Sequence, residues 1–270
     1  MSEQSLIFCV GATRAGTSWL HDYLRGHPEC YFRAQKELHY FDGLYANGQR
    51  QGMARKLDQL KAGERTDRIE LVISDLESWL ALFKGPLDDA DYLDFVGFGR
   101  VNARLVGDFT PAYGLLSEDA LAHMAGLCDD VKFIYLMRDP VERLWSNINM
   151  SAESEEAVDE FMSDDSGPLA RRSDYKSTLE KLRNVVPEGR LHVEYFERLF
   201  TDKAMARMCN FLGISALEAD CNTKLHQSRS AKLEPIIREL LQVRLKPQYE
   251  YVEAAMGGLP QEWTEKMVNL

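Results

Sequence analysis

Three short stretches hold the residues of this chain best suited to chemistry. Two suit the gripping of anions and one suits the movement of a proton. The first is Gly11-Ala12-Thr13-Arg14-Ala15-Gly16-Thr17-Ser18. Its glycines and final hydroxyl have the spacing of the phosphate loop G-x-x-x-x-G-K-[ST], whose backbone N–H groups cradle a phosphate where a helix begins. Thr17 stands where that loop has lysine. The cradle survives, but the cation that would reach the β- and γ-phosphates of a triphosphate does not, and Arg14 supplies a charge from inside the loop. A glycine turn without a ligand is the plain alternative. The second stretch is Arg138-Asp139-Pro140-Val141-Glu142-Arg143-Leu144-Trp145-Ser146. A guanidinium at the end of an apolar run, with a hydroxyl two helical turns on, suits a second phosphate. A surface Arg138–Asp139 pair with Ser146 solvated is its alternative. The third, Lys36-Glu37-Leu38-His39-Tyr40-Phe41-Asp42, offers a carboxylate and an imidazole between aromatic walls. Those are the groups of acid–base work, although a loop with packing aromatics needs the same residues.

These stretches need elements to position them. Residues 6–10 form a compact apolar run, followed by the glycine loop and a helical pattern through Trp19, Leu20, Tyr23 and Leu24 that ends at His27-Pro28. A strand apolar on both faces is a buried parallel strand. Residues 131–137 repeat the pattern, and Asp139-Pro140-Val141-Glu142 carries a cap, a first-position proline and capping-box spacing. Further strands are expected at 101–106 and 190–194. Helices are expected at 53–60, 75–83, 117–127, 174–186 and 233–256, with a mobile acidic segment at 151–167. Alternating strands and helices predict an α/β fold of three layers, with a central, mostly parallel sheet covered by helices on both faces. Ligands bind at the carboxyl ends of such strands, where both anion-gripping stretches lie. The expected organisation is one domain over residues 1–270 with a helical insertion at about 43–100.

The 270 residues carry 32 Lys and Arg against 43 Asp and Glu, a net charge of −11. That sign gives no global attraction for nucleic acid or anionic lipid, so an anionic ligand needs a local cluster of cations. Five scattered cysteines (Cys9, Cys30, Cys128, Cys209, Cys221) form no C-x-x-C pair, and no metal site is expected. No stretch approaches transmembrane length, and the run at 6–10 is too short for a signal segment. The expectation is a cytoplasmic protein without a membrane span. The aromatic insertion and the terminal helix are compatible with a homodimer.

The motifs together resemble the sulfotransferases that use 3′-phosphoadenosine 5′-phosphosulfate (PAPS), most closely the bacterial and carbohydrate or heparan-sulfate types. Val10 to Leu20 is similar to their 5′-phosphosulfate loop, roughly P-[KR]-[SAT]-G-T-[ST]-W-L, with Thr13 in place of the proline. The resemblance implies a P-loop-like fold, with Arg14, Ala15, Gly16, Thr17, Ser18 and Trp19 binding the donor. Arg14 would stabilise charge on the leaving phosphate. R-D-P-x-x-R-x-x-S is similar to the family's 3′-phosphate motif and implies Arg138 and Ser146 as its ligands, with Arg143 pairing locally with acids or supporting the helix. Residues 225–232 resemble a late nucleotide-contacting loop and imply Arg229 and Ser230, with Lys232 adding to the local positive field. Lys36 to Asp42 resembles K-E-x-x-F-F-D, which implies Glu37 as general base, with His39 as the other candidate and Lys36 in a positioning role. Gly107-Asp108-Phe109-Thr110-Pro111-Ala112-Tyr113 resembles G-E-K-T-P-A-Y. There Phe109 replaces a lysine, which speaks against a highly anionic acceptor, and Asp108 would orient the acceptor or cap a turn. The implied function is transfer of a sulfuryl group from PAPS to a hydroxyl or amine of a carbohydrate-like or small acceptor, leaving adenosine 3′,5′-bisphosphate (PAP), with no metal. A P-loop kinase and a non-catalytic PAP-binding module are the competing readings.

Overall fold

The computed structural model describes residues 4–42, 49–85, 88–149, 154–218 and 233–267. The apolar run after Gln4 forms β1 (Ser5–Cys9), buried along its whole length. It is followed by α1 (Thr17–Arg25), β2 (Cys30–Tyr31), α2 (Gln49–Ala62), α3 (Asp67–Leu82), α4 (Asp89–Val96) and β3 (Leu105–Phe109). A 3₁₀ turn (Pro111–Leu115) leads to α5 (Glu118–Ala125), β4 (Val131–Met137), α6 (Pro140–Ile148), α7 (Ser154–Ser163), α8 (Pro168–Ser173) and α9 (Tyr175–Val185). The chain ends in β5 (Leu191–Tyr195), α10 (Phe196–Leu199), α11 (Asp202–Leu212), α12 (Pro235–Met256) and α13 (Gln261–Thr264).

The five strands form one parallel sheet in the order β2-β3-β1-β4-β5 with helices around it, as the alternation predicts. After β1 the chain builds β2 and β3 on one side and then crosses to build β4 and β5 on the other. The crevice at the carboxyl end of β1 is therefore the switch point where ligands bind in such sheets. The glycine loop and Arg138 both open onto it. β3 lies so close to β1 that a Cβ on Gly107 would sit 2.0 Å from the Ile7 carbonyl oxygen, so only glycine fits.

Three expectations need correction. The strand at 101–106 begins at Leu105 instead, because α4 ends on a left-handed Gly97 and a turn carries the chain through Gly99 and Arg100. The acidic segment is helical over Ser154–Ser163, with Phe161 only 3% exposed. Ala157, Val158 and Phe161 recur at helical spacing among the acids and give the helix an inner face. The capping box at Asp139 is half made. Asp139 accepts from the Glu142 N–H at 2.9 Å, but the Asp139 N–H goes to Glu197 at 3.0 Å. The main core runs along the sheet, and a smaller cluster of Leu57, Ile73 and Leu76 joins α2 to α3. Among the described residues no helix is long and apolar enough to cross a membrane.

Candidate active site

Backbone conformation shapes the loop that leaves β1. Gly16 caps α1 at φ 90°, and a Cβ there would lie 3.0 Å from Leu199 and 3.1 Å from Phe196. Arg14 also takes a positive φ, 70°, which costs a residue with a side chain about 1–3 kcal/mol. No side chain caps α1, so its first N–H groups, at Thr17 and Ser18, are left for an anion. Ala15 is fully buried, and Trp19 stacks on Tyr23 and meets Phe200 edge-on, which anchors the start of α1 to the residue that follows α10.

Arg14 Nε donates to Ser146 Oγ at 3.0 Å, and Arg138 Nη1 donates to the Arg14 carbonyl at 3.3 Å. Arg14, Arg138 and Ser146 thus converge from the glycine loop, the end of β4 and α6. Arg14 has no carboxylate partner among the described residues. Burial, and then the neighbouring Arg138 charge, hold its pKa below the ordinary guanidinium value. Arg138 lies over the Phe196 ring at 4.6 Å and reaches Glu142 only at 3.8 Å. Glu142 is drawn away by Arg238 of α12 at 2.6 Å. Two crowded guanidiniums and a hydroxyl, with little negative charge among them, have the chemistry to hold a phosphate.

The proton-handling stretch lies beside the same loop. Lys36 Nζ donates to Glu37 Oε1 at 3.0 Å and to Thr17 Oγ1 at 3.3 Å. The ammonium missing from the loop's own sequence is therefore delivered from the segment after β2. His39 lies between two carboxylates: Nε2 is 3.6 Å from Glu37 Oε2, and Nδ1 pairs with Asp42. Burial opposes a charge on His39, but the hydrogen bonds to Asp42 and Glu37 prevail and raise its pKa to about 9. Burial would likewise raise Glu37, but the hydrogen bond from His39 and the charge of Lys36 bring it down to about 2.

Both Glu37 and His39 hold positive φ angles, 64° and 53°. Neighbouring hydrogen bonds keep them there. The His39 N–H donates to Thr110 Oγ1 at 3.3 Å, the Tyr40 N–H to Tyr113 Oη at 2.7 Å, and Trp79 Nε1 to the Leu38 carbonyl at 2.9 Å. Thr110, Tyr113 and Tyr92 in turn donate to Asp108 at 2.7, 2.8 and 3.2 Å. Burial pushes the Asp108 carboxyl above its usual pKa, against those hydrogen bonds. Asp108 is only 1% exposed, so it anchors the loop and does not orient an acceptor. Phe109 is equally buried, against His21 and Phe32, so the side chain at that position faces the core.

Arg143 is fully buried with no acid beside it among the described residues; its Nη2 donates to Ser173 Oγ, and Nε and Nη1 have no partner. Of the two roles expected for Arg143, the structure does not show local pairing with acids; it packs α6 against α8 instead. Arg229, Ser230 and Lys232 lie outside the described residues. The tethering roles of Thr110, Tyr113 and Trp79 and the Arg238–Glu142 pair carry no local sequence signal of their function, because the partners are distant in the chain.

The sequence profile of the sulfotransferase family matches residues 6–218. The chain belongs to the sulfotransferase family. Over 144 residues it is 26% identical to membrane-associated sulfotransferase kil1 of Dictyostelium discoideum, a match covering 53% of this chain and 22% of that protein. It is also 26% identical over 169 residues to carbohydrate sulfotransferase 15 of Mus musculus, covering 57% of this chain and 28% of that protein. The match thus spans less than a third of either relative's length. In fold, this sulfotransferase-family chain is similar to a sulfotransferase from Alicyclobacillus acidocaldarius, with TM-score 0.62 and 22% identity over 97% of this chain and 99% of that one. It is also similar to the sulfotransferase domain of the Synechococcus PCC 7002 olefin synthase, with TM-score 0.53 and 20% identity over 96% and 98% of the two chains.

Proposed function

We propose that this protein transfers a sulfuryl group from PAPS to a hydroxyl or amine of a carbohydrate-like or small acceptor, releasing PAP. The observation that carries this reading is the convergence of Arg14, Arg138 and Ser146 beside the uncapped start of α1, one residue cluster away from Glu37. The residues fit a nucleotide with phosphate at both its 3′ and 5′ ends. Arg138 and Ser146 hold the 3′-phosphate, and Ala15 to Ser18 hold the 5′ end through backbone N–H groups and hydroxyls. When bound, PAPS supplies the activated sulfuryl group.

The chain's own residues supply the remaining functions. Glu37 is ionised throughout the neutral range and takes the acceptor's proton. His39 already carries its proton at neutral pH, so it steers Glu37 and does not serve as base. An acceptor hydroxyl entering between Glu37 and Lys36 would separate the ammonium from the carboxylate and raise the proton affinity of Glu37. Arg14 would stabilise the charge of the leaving phosphate by hydrogen bonds, since a guanidinium does not give up a proton. The scattered cysteines support a reducing, cytoplasmic setting, and we propose a single catalytic domain in which α2 to α4 form the helical insertion.

The test is transfer of sulfur-radiolabelled sulfuryl from PAPS to a panel of sugars, phenols and amines. Transfer that is lost in Glu37→Gln supports the reading. Bisphosphate binding without transfer to any of the panel favours a binding module, and magnesium-dependent phosphoryl transfer from ATP favours a kinase.

A further inference from the structure

We propose that Arg238 keeps the donor site open by holding Glu142 off Arg138, so that the docking of α12 on α6 sets the affinity for the donor's 3′-phosphate. This rests on the sulfotransferase reading and adds a controlling contact to the same site. Arg238 is a positioning residue that acts through Glu142.

Glu142 stands four residues after Arg138, the spacing at which two side chains of a helix meet on one face. A carboxylate and a guanidinium so placed pair with each other unless something intervenes, and the carboxylate then occupies the group that a phosphate needs. In the structure the two are only loosely associated, with Arg138 Nη2 3.8 Å from Glu142 Oε2. The other carboxylate oxygen, Oε1, accepts from Arg238 Nη2 at 2.6 Å. The first contact is beyond hydrogen-bond reach, and the second is short and charge-assisted. Burial opposes the Glu142 charge, but the hydrogen bond from Arg238 and the charge of Lys266 hold its carboxyl below the ordinary pKa. Glu142 is therefore a charged competitor for Arg138 throughout the neutral range.

Glu142 is the one group that the Arg238 side chain bonds among the described residues, and its Nη1 is buried without a partner there. Arg238 lies in the first turn of α12. Farther along that helix, Tyr249 donates to Asp139, the cap of α6, at 2.9 Å. Both contacts tie α12 to the start of α6, where Arg138 enters the site. A shift of the first turn of α12 takes the 2.6 Å partner from Glu142, and Glu142 then turns to Arg138 and stands in for the phosphate. The terminal helix thus controls the phosphate end through one carboxylate.

The test is calorimetric titration of the full chain with PAP and with adenosine 5′-phosphate, which lacks the 3′-phosphate. Arg238→Gln should weaken PAP binding about tenfold, the order of one charge-assisted hydrogen bond that the phosphate must now break, and leave adenosine 5′-phosphate within about twofold. Adding Glu142→Gln to Arg238→Gln should restore PAP binding to within about twofold of wild type, because the competitor is gone. Arg238→Lys should keep most of the wild-type affinity. A weakening that Glu142→Gln does not relieve would make Arg238 a phosphate ligand, and an equal weakening of both nucleotides would make it a support for the fold. Either result overturns the proposal, as does unchanged PAP affinity in Arg238→Gln. A wild-type protein that binds no PAP is a separate outcome, which overturns the sulfotransferase reading and this proposal with it.

Discussion

The proposed phosphate end and the proposed proton end of this site are built on opposite electrostatic plans. At the phosphate end, burial and then the neighbouring Arg138 charge depress Arg14's pKa, with Glu142 diverted to Arg238. At the proton end the charges form a chain of opposite pairs: Lys36 with Glu37, Glu37 with His39, and His39 with Asp42. An end left short of counter-charge gains most when an anion arrives. An end already compensated holds a strained geometry in place while nothing is bound. Binding and turnover are therefore separable by mutation.

Glu37→Gln gives the largest separation. Turnover should fall by roughly 10²–10⁴-fold, the usual worth of a positioned acid or base, while PAP affinity measured by calorimetry stays within about twofold. A large loss of affinity would show that the two ends are one unit. Gly16→Ala attacks the phosphate end through its backbone. The positive φ and the contacts with Leu199 and Phe196 should cost about 1–3 kcal/mol of stability, seen as a lowered Tm together with weaker PAP binding. An unchanged Tm would mean that the loop adapts.

Asp42→Asn is the mildest change and sharpens the proton end. The raised pKa of His39 gives stability that is whole below its ordinary 6.5 and is lost as pH rises through about 9. The depressed pKa of Glu37 gives stability that is whole above its ordinary 4.5 and is lost as pH falls through about 2. The network is complete between those ordinary values and thins toward pH 9. Lys36, Lys56, Asp42 and Asp108 face this pair from the surrounding segments. Removing the Asp42 charge should move the alkaline limb of the pH–rate profile to lower pH and leave the acid limb in place. An unmoved alkaline limb would detach His39 from catalysis.

The parts legible in the sequence were those where local chemistry and local backbone coincide. Residues 131–137 are apolar on both faces and form β4 over that whole range, and Asp139-Pro140 starts α6 at the expected residue. The glycine loop was readable because the spacing of its glycines dictates its backbone conformation. Two readings of Asp108 stayed open in the sequence, because a carboxylate in a motif looks the same whether it faces an acceptor or three buried hydroxyls. The burial of Phe109 was not legible for a similar reason, since the side of the strand that a residue faces depends on neighbours far away in the chain. The Arg238 latch on Glu142 joins residues 96 positions apart, beyond the reach of any local pattern.

The central claim is that the crowded pair Arg14 and Arg138 is completed by a nucleotide with a 3′-phosphate. Calorimetric titration with PAP, against ATP with magnesium, tests it most directly. Micromolar PAP binding that weakens roughly a hundredfold or more in Arg138→Ala, with little affinity for ATP, is the predicted result. Binding of ATP in preference to PAP, or PAP binding indifferent to Arg138, would contradict it.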